Sequence, residues 1–227
     1  MRVHVAFTPA GAAAAPLGIV VDVMRATSTI AQALASGYRR VLCCSEIDEA
    51  RRLRAELGDE AITGGEREAQ MIEGFDAGAS PREFQEPRAE TLILSTTNGT
   101  RAVVAAAASC GEVVLGSLLN LDAVVAHARA RGEDAVVLCA GYKDVFAIDD
   151  AYCAGRIVTL LDGDRSDAAK ASEVIAARFP NAIDGINART YGPSGLEEDI
   201  AWCSQVSVLD VAPRLSRMLE RAAEVTL

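Results

Sequence analysis

Four short stretches combine acids, hydroxyls and arginine in a way that suits the handling of a phosphate-like anion. The first runs from Asp22 to Thr29 (DVMRATST), between an apolar run and an Ala-rich one, so it falls where a strand hands over to a helix. A helix N-terminus presents free N–H groups and the positive end of its dipole; Thr27 and Ser28 add hydroxyl donors and Arg25 a bidentate fork. Asp22 is then placed to bind a metal ion or to attack phosphorus. The simpler reading, in which Thr27 only caps the helix and Asp22 only turns the chain, carries equal weight on this stretch alone.

The second stretch, Ser95 to Arg101 (STTNGTR), again lies between an apolar run and an Ala-rich one. Asn98-Gly99 permits a positive-φ turn that lets successive amides converge, with Thr97, Thr100 and Arg101 around them. Alone it reads as a tight turn; its recurrence in one chain favours an anion site. The third, the aperiodic segment Gly64 to Phe84, carries Glu66, Arg67 and Asp76. Its acids are hard oxygen ligands of the kind Mg²⁺ prefers, and long aperiodic segments inside a domain are usually functional. In the fourth, Asp149 and Asp150 open a helix after Cys139-Ala140-Gly141, either to complement its dipole or to complete a metal site.

With 32 acidic and 22 basic residues, the chain has a formal charge of -10. To bind a multiply charged anion it must build a local positive centre from arginine, metal and helix ends. Arg25, Arg67 and Arg101, all in loops after predicted strands, are the candidates. No cysteine is followed by arginine at the spacing of a cysteine-phosphatase loop, and no Walker or dinucleotide pattern occurs. His4 on the first strand and His127 within a helix read as structural. Carboxylates acting with a metal ion remain the economical chemistry.

The elements that must position these groups follow from periodicity. Val/Leu/Ile-rich runs at Gly18–Asp22, Arg40–Cys44, Thr91–Ser95, Glu112–Leu115 and Ala135–Cys139 alternate with Ala-rich helical stretches. That alternation predicts an α/β fold, a three-layer α/β/α arrangement with a largely parallel or mixed sheet. After Pro180 the pattern changes, and the spacing from Pro213 to Val225 predicts an amphipathic helix. The whole chain, 1–227, reads as one domain with a helical subregion over 180–227.

Half of the residues are hydrophobic, enough for a sizeable core. No apolar run reaches the length of a membrane span. The acidic surface excludes nucleic acid and anionic membrane as partners. A cytoplasmic setting is expected. The six cysteines form no C-x-x-C pair and read as reduced and structural; a homodimer is one oligomeric state the sequence leaves open.

Taken together, several blocks resemble the 2-phosphosulfolactate phosphatase family. They are 22–30 (DVMRATSTI), 65–67 (GER), 72–81 (IEGFDAGASP), 96–102 (TTNGTRA), 116–120 (GSLLN), 139–141 (CAG), Asp149-Asp150, and Asp199-Ile200 with Cys203. The resemblance implies Mg²⁺-dependent hydrolysis of 2-phosphosulfolactate, or a related phosphorylated hydroxy acid, to sulfolactate and phosphate, a step of coenzyme M synthesis. It implies a small anionic phosphate ester as partner. By position it implies a site of Asp22, Arg25, Thr27, Glu66, Arg67, Asp76, Asn98, Gly99, Thr100, Arg101, Asn120, Asp149 and Asp150. We expect Asp22, Glu66, Asp76 and Asp149 near the metal, with Arg25, Arg67 and Arg101 on the anion. The alternative of another class is a non-catalytic anion-binding or sensing module of the same fold.

Overall fold

The computed structural model describes residues 1–191, 195–220 and 222–227. Its strands are β1 (Arg2–Ala6), β2 (Ala15–Val21), β3 (Arg40–Cys43), β4 (Ala61–Arg67), β5 (Gln70–Met71), β6 (Thr91–Ser95), β7 (Cys110–Gly116), β8 (Ala135–Cys139), β9 (Asp164–Arg165), β10 (Arg214–Met218) and β11 (Ala223–Thr226). The helices are α1 (Ala26–Ala35), α2 (Ile47–Leu57), α3 (Gly99–Ser109), α4 (Leu121–Arg131), α5 (Ile148–Leu160), α6 (Asp167–Arg178), α7 (Ala182–Asn187) and α8 (Glu197–Cys203). The five apolar runs picked out above correspond to β2, β3, β6, β7 and β8.

All eleven strands join one mixed sheet in the order β5-β4-β6-β3-β11-β10-β7-β2-β8-β1-β9. Two parallel groups flank a central antiparallel hairpin. One holds β4, β6 and β3; the other holds β7, β2, β8, β1 and β9. The hairpin β10-β11 pairs antiparallel with β7 on one side and with β3 on the other.

Successive strand residues face opposite sides of a sheet, and burial on both sides leaves no room for polar positions. In β2, Leu17, Ile19 and Val21 pack with Val124 of α4 and Tyr152 and Ile157 of α5. Val20, pointing the other way, packs with Ile30 of α1 and Ala102 and Val103 of α3. The other group repeats this: Val41 and Leu92 face the α1 and α3 layer, while Leu42 and Ile93 face Ala50 of α2. Three layers result, with α1 and α3 on one face and α2 and α4–α6 on the other.

Helix α1 carries the chain from β2 in one group to β3 in the other, and α3 carries it from β6 back to β7. The two stretches that the sequence marks as anion cradles therefore open the two helices that tie the groups together.

The C-terminal expectation is corrected in part. Helices α7 and α8 are present, but Arg214 onward forms the β10-β11 hairpin at the centre of the sheet instead of an amphipathic helix. Arg221, within that stretch, lies outside the described residues. Ala223 and Val225 are fully buried between the groups, a two-residue period that a short window does not separate from a helical one. No helix among the described residues is long and apolar enough to cross a membrane.

Candidate active site

A pocket opens where the carboxyl ends of β2 and β8 from one group meet those of β4 and β6 from the other. Its lining includes Asp22, Met24 and Arg25 after β2, Glu66, Glu68 and Ala69 around β4, and Thr96, Thr97 and Asn98 after β6. Gly141, Tyr142 and Lys143 after β8, Asp150 of α5, and Arg189, Tyr191 and Leu196 also line it. Ligands of open α/β sheets bind at strand carboxyl ends, and here both groups contribute.

Asp22 holds the first turn of α1. Its Oδ1 accepts the Ala26 N–H at 3.2 Å, and its main-chain oxygen accepts from the Thr27 N–H and hydroxyl at 3.0 and 2.9 Å. Thr27 and Ser28, expected to offer hydroxyls to an anion, spend them on the Asp22 and Val23 carbonyls and are buried. The cradle after β6 differs: the Thr96 and Thr97 hydroxyls are buried without a hydrogen-bond partner among the described residues. The Asn98 side chain makes no capping bond to α3, and the first N–H groups of a helix have no intrahelical acceptor. Thr100 is buried beneath them.

Glu66 ties the cradle after β6 to the turn after β4. Its Oε1 accepts the Thr97 N–H and its Oε2 the Ala69 N–H, each at 2.8 Å. Glu68 and Ala69, at φ 54° and 63°, form the two-residue left-handed turn that closes the β4-β5 hairpin. The Ala69 carbonyl accepts from Arg25 Nη2 at 3.3 Å, while Arg25 Nη1 forms a buried ion pair with Asp199 of α8 at 2.6 Å. Asp199 also accepts the Ser80 hydroxyl at 2.5 Å, and Ser80 exchanges capping bonds with the Pro81–Phe84 turn. The long aperiodic segment is thus a packed clamp on Arg25, which a periodicity search does not reveal.

Three acids crowd the other side. Asp150 accepts the Val23 N–H at 2.9 Å and the Gly141 N–H at 3.0 Å, joining the ends of β2 and β8. Asp149 Oδ1 accepts the Tyr191 hydroxyl at 2.5 Å; its Oδ2 is buried with no partner among the described residues. Burial pushes the Asp22 carboxyl up to about 7, the Ala26 N–H opposing and Glu66 and Asp149 adding to it. Asp150 is raised well above the usual range by burial and by the charges of Asp149 and Asp22. Burial also raises Asp149, with the Tyr191 hydroxyl working against it. Burial and both acids push the Tyr191 phenol far up, so it remains a donor.

Several expected residues are not gathered here. Arg67 turns away, donating to the Glu66 and Ser45 carbonyls and to Ser95 Oγ; adjacent strand residues face opposite sides, and Glu66 has the inward one. Arg101 is exposed and pairs with Asp144 at 2.9 Å. Asp76 is exposed, takes the Thr63 N–H and hydroxyl at 2.8 Å, and lies 3.7 Å from Arg54. Asn120 is fully buried and satisfied by Ser117, Leu115 and Val211. The expectation that Arg25, Arg67 and Arg101 share one cavity is therefore corrected: the pocket's cations are Arg25, Lys143 and Arg189. Sequence reasoning missed Arg189, Tyr191 and Lys143, which follow no predicted helix start and belong to no repeated element. Six cysteines are free and five of them buried, the expected structural role.

Unspent hydroxyls, a helix N-terminus and clustered carboxylates at strand ends give this α/β fold a pocket with the chemistry to hold a small phosphorylated molecule. Residues 6–218 match the 2-phosphosulpholactate phosphatase family, and the chain belongs to that family of phosphoric monoester hydrolases. A protein of Caldanaerobacter subterraneus named probable 2-phosphosulfolactate phosphatase is 36% identical over 91% of this chain and 90% of its own length. Proteins of the same name from Thermotoga petrophila and Symbiobacterium thermophilum are each 33% identical, over 94% and 90% of this chain and 95% and 93% of their own lengths.

Proposed function

We propose that this protein hydrolyses 2-phosphosulfolactate to sulfolactate and inorganic phosphate, with Mg²⁺ bound among its acids. The observation that carries the reading is the convergence of Asp22, Glu66 and Asp150 with the turn from β6 into the N-terminal end of α3 in one pocket of a chain from this family, with the buried Asp149 hydrogen-bonded to the pocket's Tyr191. The phosphoryl group is assigned to the α3 N-terminus, with the Thr96 and Thr97 hydroxyls and Arg25 around it, a setting that favours negative charge. Asp22, against that helix end, is assigned to the reacting phosphorus. It either attacks directly, giving an aspartyl-phosphate that water then hydrolyses to free the carboxylate and phosphate, or takes the proton of a water that attacks phosphorus; on either route the ester P–O bond breaks, water supplies the new oxygen of phosphate, and a proton passes to the departing sulfolactate oxygen. The reaction is placed in the cytoplasm, and its substrate is a small anion.

The donors fit a divalent cation. Asp149 Oδ2 is an orphaned buried oxygen, and mutual repulsion among Asp22, Asp149 and Asp150 is what a cation relieves. Among the described residues no three His, Cys, Asp or Glu side chains form a ready-made cage; Mg²⁺ commonly uses one or two carboxylates, waters and the substrate's own phosphate. Asp22, Asp149 and Asp150 are the residues that would hold it, and when bound it would neutralise phosphate oxygens.

Release of phosphate from 2-phosphosulfolactate by the purified protein tests the reading. Turnover that requires Mg²⁺ and is lost in Asp22→Asn supports it. A folded protein that binds the ester tightly without metal and without turnover would instead be an anion-binding module.

A further inference from the structure

The charges of the pocket are not evenly matched. Of its three cations, Arg25 is neutralised by Asp199 at 2.6 Å and Lys143 by Glu68 at 2.9 Å. Arg189 forms no ion pair with any described carboxylate. Its charge acts on Asp149, yet the Asp149 oxygen that carries a side-chain hydrogen bond takes it from the Tyr191 hydroxyl. Arg189 Nη1 is committed to the Tyr191 carbonyl at 2.7 Å, and Nε is enclosed with no partner among the described residues. A guanidinium held without an acid, in a protein of net charge -10, is a site prepared for an anion that arrives with the ligand.

Its placement suits a group other than the phosphate. The phosphoryl position at the α3 N-terminus has its own donors, whereas Arg189 enters the pocket between α7 and α8, beside a stacked pair of rings. Tyr142 and Tyr191 stack with centroids 4.3 Å apart, and the Arg189 guanidinium lies 6.0 Å from the Tyr191 centroid. The ring lies at the outer range of a cation–π contact, and Nη2, which has no partner among the described residues, is left to meet an oxyanion.

We propose that Arg189 is the specificity residue for the acidic group the substrate carries besides its phosphate, a carboxylate or a sulfonate. This rests on the phosphatase reading above and adds to it the residue that separates an acidic phosphate ester from a neutral one.

The test compares wild type with Arg189→Met on four esters: 2-phosphosulfolactate, 2-phospholactate, O-phosphoisethionate and phenyl phosphate. Loss of one charged hydrogen-bonding anchor should raise KM for 2-phosphosulfolactate roughly 10- to 100-fold, and any loss on phenyl phosphate, which lacks a second acid, should be smaller by about that factor. Whichever of 2-phospholactate and O-phosphoisethionate is affected shows whether a carboxylate or a sulfonate is read. An equal fall on all four esters, or no fall on any, overturns the proposal. Arg189→Lys, which keeps the charge but not the fork, should fall between the two and serves if the methionine variant does not fold.

Calorimetric titration with sulfolactate, which carries both acids and no phosphate, separates this proposal from the activity. If wild type hydrolyses nothing yet binds sulfolactate, and Arg189→Met weakens that binding by a similar factor, the subsite stands and the phosphatase reading fails. Sulfolactate binding that is absent, or indifferent to Arg189, refutes the subsite.

Discussion

Gly99 is packed so closely on Asp22 that a Cβ added to it would lie 2.7 Å from Asp22 Oδ2, and 2.3 Å from the Ala26 Cβ. The N-termini of α1 and α3 abut at this contact, and the hydrogen of glycine is what permits it. Gly99→Ala must push the helices apart or displace the Asp22 carboxylate. Overpacking of this kind costs about 1–3 kcal/mol, so a lowered Tm together with at least a roughly tenfold fall in kcat is expected. Thermal melts and steady-state kinetics check both, and an alanine variant with normal kcat would remove Gly99 from the account.

The acid cluster makes metal-free stability fall as pH rises. Asp22 is raised from its ordinary 3.8 to about 7, and Asp149 and Asp150 are raised as well, burial being the first cause for each. A group whose folded pKa is raised contributes stability that is fully present below its unfolded value and lost as pH climbs through the folded one. In EDTA the protein should therefore melt lower at pH 8 than at pH 6, by roughly 2–4 °C for each kcal/mol lost in a chain of this size. Added Mg²⁺ should restore the pH 8 value, and Asp22→Asn should flatten the slope. Calorimetry showing the opposite slope would contradict the clustering.

Arg25 and Arg101 should separate cleanly in mutagenesis. Arg25 is buried, held by Asp199, and lines the pocket, whereas Arg101 is exposed on the Asp144 side chain. Arg25→Met is expected to reduce kcat/KM by about 100-fold or more, the range seen when a transition-state donor is removed. Arg101→Met removes an exposed pair of small energy, and kcat/KM should stay within about threefold. Equal losses in the two variants would mean that Arg101 reaches the pocket.

Tyr191→Phe keeps the ring stack with Tyr142 but deletes the 2.5 Å hydrogen bond to Asp149. A hydrogen bond to a charged group contributes about 1.5–3 kcal/mol. The variant should bind Mg²⁺ more weakly and lose roughly tenfold in kcat/KM, restored in part at higher metal concentration. Metal titration at fixed substrate reads this directly; an unchanged metal dependence would separate Tyr191 from the acid cluster.

Much of the fold is legible in the sequence because a strand buried on both faces must be apolar throughout, as in Val113 to Leu115 and Ala135 to Cys139. The β10 strand is mostly exposed and carries Arg214 and Arg217, so its pairing depends on neighbours that a window does not contain. Asp22 and Asp150 can be read as acids at strand exits or helix starts. Glu66 and Arg67 cannot be told apart this way, because composition places both in one loop while the alternation of β4 sends only Glu66 inward. Arg189 and Tyr191 reach the pocket through the segment between α7 and α8, where no local period announces a function.

The most direct test is a crystal structure with Mg²⁺ and orthovanadate, a phosphoryl analogue. Vanadate is predicted at the α3 N-terminus beside Thr96 and Thr97, with the metal on carboxylate oxygens of Asp22, Asp149 or Asp150. Density for vanadate or metal elsewhere, for instance at Asp76 or Arg101, with this pocket empty, would contradict the account.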